Sequence, residues 1–249
     1  MPEILSRDCG ATIAYDRLEG RVPGVVFLPG FRSDRSGTKA LALEQFCRER
    51  GRAYVRFDYQ GHGDSSGTFE DGTIGLWAGD ALAVLDRLTE GPQVLVGSSM
   101  GGWIMLLCAR ARSERIAGLL GIAPAPDFTE DSLWDRLDEE QRERILRDGR
   151  VEEPTPYSDQ PHVYTRGLIE DGRRNLVMRE ALPVSCPVRI LQGMRDDAVP
   201  WKRALQILDH VQSDDVEVTL IKSGDHRLSE PADIDRLCRS LDSLLASLS

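Results

Sequence analysis

The sequence is poor in several of the groups from which protein chemistry is built. It has four histidines, and only three of its 31 basic residues are lysine (Lys39, Lys202, Lys222). Its five cysteines, Cys9, Cys47, Cys108, Cys186 and Cys238, lie far apart with no CxxC or Cys/His ligand spacing. That excludes a structural zinc site and a disulfide framework and leaves reduced, packed thiols. Aromatic residues make up 6% of the chain. No apolar run approaches the ~18 residues a membrane-spanning helix needs. A net charge of −10 leaves no basic face for phosphate backbones, so nucleic acid is excluded as a partner. The first residues enter a strand-like pattern almost at once, with no signal or transit peptide, and the expected compartment is therefore the cytoplasm. The arginine bias suggests a GC-rich, bacterial genome.

What is present is ordinary for a folded α/β chain: 249 residues, 41% hydrophobic and 29% charged, enough for a single domain with a large core. Residues 3–7 and 11–18 read as two edge strands turned at Cys9-Gly10. Residues 24–28, 94–96 and 116–122 are short apolar runs of the kind a sheet buried on both faces requires, and 54–57, 188–191 and 216–221 read as further strands. Helix-period segments alternate with them at 38–50, 73–90, 100–111, 201–210 and from Pro231 onward. This alternation implies a mostly parallel central sheet flanked by helices, with every strand-following loop on one rim.

The rhythm breaks at Ala123-Pro-Ala-Pro126. Over about 126–183 no strand is evident; helices are expected at 132–147 and 162–171, separated by a proline-broken segment at 154–161. This reads as a small helical cap inserted before the last two strands, with Trp134, Leu137 and Tyr164 as candidate substrate-contacting residues.

The centre of the chain is residues 94–108, where a strand meets Gly97-Ser-Ser-Met-Gly101 and turns into a helix. Gly-x-Ser-x-Gly in that setting is a tight elbow that presents its central serine above the sheet, at the positive end of a helix. Ser99 is thus the candidate nucleophile. A serine hydroxyl needs a base to accept its proton and a third group to orient the base. Of the four histidines, His226 directly follows the last strand; His62 sits in a Gly-His-Gly turn, His162 in the cap and His210 at a helix end. Asp196 follows the preceding strand and gives the chain order Ser–Asp–His; Asp197 qualifies less well, and Asp225 reads as a turn residue. Backbone N–H groups of Met100 and Phe31 are the candidate oxyanion donors.

These residues, in order, resemble the α/β-hydrolase superfamily over essentially the whole chain: Pro29-Gly30-Phe31, Asp58-Tyr59-x-Gly61-x-Gly63-x-Ser65, Gly97-x-Ser99-x-Gly101, Gly193-x-x-Asp196-x-x-Val199-Pro200 and Asp225-His226. Leu28-Pro-Gly-Phe-x-Ser-x-x-x-Gly-Thr-Lys-Ala40, Arg56-Phe-Asp-Tyr59 and Val199-Pro-Trp201 resemble, more narrowly, its mitochondrial branch of palmitoyl-protein thioesterases and acyl-glucuronide esterases. The chain departs from that branch by lacking a transit peptide. The resemblance implies the α/β-hydrolase fold and Ser99, Asp196 and His226 as the triad. It also implies cleavage of small-molecule or protein-linked acyl (thio)esters through an acyl-enzyme, without metal or cofactor. A serine peptidase, another esterase and a non-catalytic ligand-binding member are the alternatives, and the sequence does not set an oligomeric state.

Overall fold

The computed structural model describes residues 1–154 and 161–248. Eight strands form one sheet in the order β1-β2-β4-β3-β5-β6-β9-β10. The strands are β1 (Glu3–Ser6), β2 (Thr12–Leu18), β3 (Arg21–Leu28), β4 (Arg52–Phe57), β5 (Gln93–Ser98), β6 (Ile116–Ile122), β9 (Val188–Gly193) and β10 (Val216–Ile221). The first two form an antiparallel hairpin along one edge, and β2 also runs antiparallel to β4; all other pairings are parallel. The register aligns the strand ends: Leu28 pairs with Gly97, Gly97 with Gly121, and Gly193 with Ile221. The loops that follow β3, β5, β9 and β10 therefore open on the same rim.

Two apolar layers sandwich the sheet. On one face α1 (Thr38–Glu49) and α7 (Pro231–Ser247) pack Leu43, Phe46, Leu241 and Leu244 against Val94 and Val96 of β5. On the other, α2 (Ile74–Leu88), α3 (Met100–Ala111) and α6 (Lys202–His210) pack Trp77, Trp103 and Ile207 against Val26 and Leu95. Successive residues of β5 thus bury on opposite faces, which is why its sequence reads as unbroken apolar rather than alternating. Each such side chain contributes roughly 1.5–3 kcal/mol on burial.

Between β6 and β9 lies the insertion, and here the structure corrects the sequence reading. The single helix expected over 132–147 is two: a π-helix at Thr129–Trp134 and α4 (Glu139–Asp148). Asp138 restarts the helix by a capping box: its side chain accepts from the Gln141 N–H, and the Gln141 side chain accepts from the Asp138 N–H. No strand was expected, yet β7 (Arg150–Glu153) and β8 (His162–Thr165) form an antiparallel pair. The second expected helix, 162–171, is β8 followed by α5 (Arg166–Arg174), with the Thr165 side chain capping Leu168. The proline-broken segment expected at 154–161 lies almost wholly outside the described residues.

Candidate active site

The turn from β5 into α3 is made at a single residue, Ser99. Ser99 has φ 53° and ψ −117°, a strained conformation for a non-glycine residue. It is held by Ser99 N–H donating to Ile122 O (2.9 Å) and by Ala125 N–H donating to Ser99 O (3.0 Å). Glycine is required on both sides. A Cβ at Gly97 would lie 2.4 Å from the Gly101 carbonyl oxygen, and one at Gly101 would lie 2.0 Å from the Leu28 carbonyl oxygen. Backbone cannot yield as a side chain can, so the elbow exists only with both glycines.

His226 Nε2 lies 3.0 Å from Ser99 Oγ, and its Nδ1 lies 2.9 Å from Asp196 Oδ2. A proton on Nδ1 directed at the carboxylate leaves Nε2 with its lone pair facing the serine hydroxyl. The Asp196 side chain is fully buried, and every acceptor direction is used. Its Oδ2 also accepts from Gln192 Nε2 (2.9 Å), and its Oδ1 accepts from the N–H groups of Ala198 (2.9 Å) and Val199 (2.7 Å). Four donors fix the carboxylate in orientation. Asp225 serves its own loop, accepting from the Leu228 N–H at 2.9 Å.

Phe31 and Met100 line the same cleft. Neither N–H donates to an acceptor among the described residues. The Gly30 peptide runs close against the nucleophile: a Cβ there would lie 3.4 Å from Ser99 Cβ. Arg32 (φ 55°) and the Ser33 N–H bond to Gly30 O (3.1 Å) set the turn that brings the peptide there.

Above the serine lies a cleft of about 920 Å³. Its apolar wall includes Phe31, Met100, Phe128 and Leu133; Arg32, Arg136, Glu153, His162 and Tyr164 also line it. Tyr164 stacks on Phe31 (5.6 Å, 17°), and His162 meets the same ring edge-on at 5.6 Å. Burial, with Arg32 and Arg136 adding to it, pushes the His162 imidazolium down, so the neutral ring is favoured there. Of the three residues expected to contact substrate, Tyr164 alone lines the cleft. Leu137 is buried within the insertion, and Trp134 stacks under the guanidinium groups of Arg142 and Arg173. From this stretch Ser132 and Leu133 of the π-helix, and Arg136 just after it, line the cleft instead. No sequence signal marks a π-helix, although β8 placing His162 and Tyr164 on one face was readable as alternation. His62 is not at the cleft. It packs against Phe69 and Trp77 with Nδ1 3.3 Å from Gln60 O, and burial pushes its imidazolium down.

Among known proteins, the model of the alpha/beta hydrolase family matches residues 25–237. The palmitoyl-protein thioesterase ABHD10, mitochondrial, of Bos taurus is 44% identical over 247 residues, covering 98% of this chain and 80% of the relative. The solved alpha/beta hydrolase domain-containing protein 10 from mouse superposes with a TM-score of 0.93 at 41% identity, covering 100% of both chains. A crystallised hydrolase from Agrobacterium vitis S4 gives 0.94 at 41% identity over 98% of each chain. The cattle relative's name corrects the expected compartment: it points to the mitochondrion, not the cytoplasm, and lends a bacterial source no support. The cytoplasmic reading rested on the first few residues alone, and the residues that make the fold and the cleft are indifferent to compartment.

Proposed function

We propose that this chain, which belongs to the alpha/beta hydrolase family, is a serine hydrolase that cleaves acyl thioesters, the S-palmitoyl groups of proteins among them, as the name of its cattle relative states for that protein. The observation that carries the reading is the unbroken hydrogen-bonded relay from Ser99 through His226 to the buried Asp196. Ser99 Oγ attacks the acyl carbonyl carbon while His226 Nε2 takes the hydroxyl proton. Asp196 fixes the ring and stabilises the imidazolium that forms. The negative charge that develops on the carbonyl oxygen is met by the N–H groups of Phe31 and Met100. Their freedom from other acceptors supports that role; removing one such donor typically costs about 3 kcal/mol of transition-state stabilisation. The imidazolium then gives its proton to the leaving sulfur, which departs as a thiol. Water, deprotonated by the same imidazole, releases the acid and restores Ser99. The side chains of Phe31, Phe128 and Leu133 offer the acyl chain an apolar surface beside the serine.

Labelling by a fluorophosphonate tests the nucleophile. Wild type is expected to react covalently and Ser99→Ala not at all; equal labelling of the two ends the proposal. Matched thioester and oxygen-ester substrates of one acyl group, compared by kcat/KM, then test the leaving group. A preference for the oxygen ester would make the chain a carboxylesterase of the same family.

A further inference from the structure

The segment Leu28–Ala40 contributes the Phe31 N–H to the proposed oxyanion site, but its most distal polar residue, Lys39, is left unused by the chemistry above. Lys39 sits in the first turn of α1 and lines the cleft on the side of the general base. Its Nζ donates to Arg227 O at 2.6 Å and to Ser229 Oγ at 3.1 Å. Those two acceptors flank Leu228, a buried leucine held at φ 43° in the loop between β10 and α7. A branched side chain disfavours that conformation, and the loop would relax from it if released. His226 stands two residues before it. We infer that Lys39 is a positioning residue of the relay: its ammonium grips the chain on both sides of the strained Leu228 and so keeps the His226 ring within reach of Ser99. The inference rests on the serine-hydrolase reading.

The grip is charge-dependent. An ammonium donating to a carbonyl and a hydroxyl makes stronger bonds than a neutral amine. Burial first, then Arg227, bring the Lys39 ammonium down to about 8, while Asp225 in the same loop and Asp233 on α7 act in the opposite direction. The protonated, gripping form is therefore present below about pH 8 and lost above it. The turnover number should fall on the alkaline side as the Lys39 ammonium is lost.

The experiment compares wild type, Lys39→Met and Lys39→Arg on a short activated acyl ester from about pH 6 to pH 10, with thermal unfolding of each. Lys39→Met is expected to lower kcat roughly tenfold to a hundredfold, the scale of loss for a misplaced catalytic group. KM should stay within about twofold, and the alkaline decline should vanish. Lys39→Arg should recover most of kcat and carry its decline to higher pH. Three results overturn the inference: kcat of Lys39→Met within about twofold of wild type, a change confined to KM, or an alkaline decline equal in all three proteins. Should Lys39→Met fail to fold, the Lys39→Arg profile decides. Absence of fluorophosphonate labelling in wild type would instead remove the serine-hydrolase reading, and this inference with it.

Discussion

Asp196 is the side chain whose surroundings leave it least choice. Its two oxygens take four donors, and its side chain has no exposure to water. An amide in its place must point an NH2 either at the His226 Nδ1–H or at the Val199 N–H. The first arrangement forces the imidazole into the wrong tautomer. Asp196→Asn is therefore expected to lower kcat about 10³- to 10⁴-fold on an activated ester, with folding retained in circular dichroism. Turnover within tenfold of wild type would mean that His226 needs no such partner. Residues of this kind are legible in a sequence because each follows an apolar strand whose end the parallel register fixes. Which of two adjacent aspartates faces the imidazole is less legible, and here Gln192 and the N–H groups of Ala198 and Val199 decide it. The cleft wall was less legible still, since Leu133 and Leu137 look alike in a helical pattern and are both buried in the core, yet only Leu133 also reaches the cleft.

Among the elements, the sheet and its flanking helices follow from local pattern, and the insertion does not. Runs such as Val94-Leu-Val96 can only be buried strands, whereas Arg150-Val-Glu-Glu153 offers one apolar residue in four, so its pairing with β8 is set by tertiary contact. The capping box at Asp138 was present as a signal, but the apolar spacing of Leu133, Leu137 and Ile145 runs smoothly across it. Asp127 ties the start of the insertion to its end. Held at φ 58°, it is fully buried and accepts from the N–H groups of Val177 (2.8 Å) and Met178 (2.9 Å). Asp127→Ala would leave two buried donors without acceptors, at roughly 1–3 kcal/mol each. A drop of about 2–6 kcal/mol in unfolding free energy is expected by urea titration; a drop under 1 kcal/mol would show that water replaces the carboxylate. If the insertion forms the cleft wall as described, the same variant should discriminate less between short and long acyl chains.

At the scale of the molecule, ties of that kind argue that the insertion and the sheet are one thermodynamic body. Trp103 on α3 donates to Asn175 O at 3.0 Å, and the Gly75 N–H of α2 donates to Asp171 on α5 at 2.6 Å. We propose that the whole 249-residue chain is one domain and melts in one transition. Calorimetry should then give an enthalpy of roughly 170 kcal/mol near 60 °C, equal to the van't Hoff value. Two resolved transitions would divide insertion from sheet. One residue bears on how robust that body can become. Ser99 is held at a positive φ that a glycine would adopt freely, a disadvantage on the order of 1–3 kcal/mol. Drift toward heat tolerance would therefore favour a glycine at the one position where the proposed chemistry forbids it. A lineage that kept the strained serine kept it under selection for turnover, and one released from that selection would be expected to lose the serine early and become sturdier by the loss.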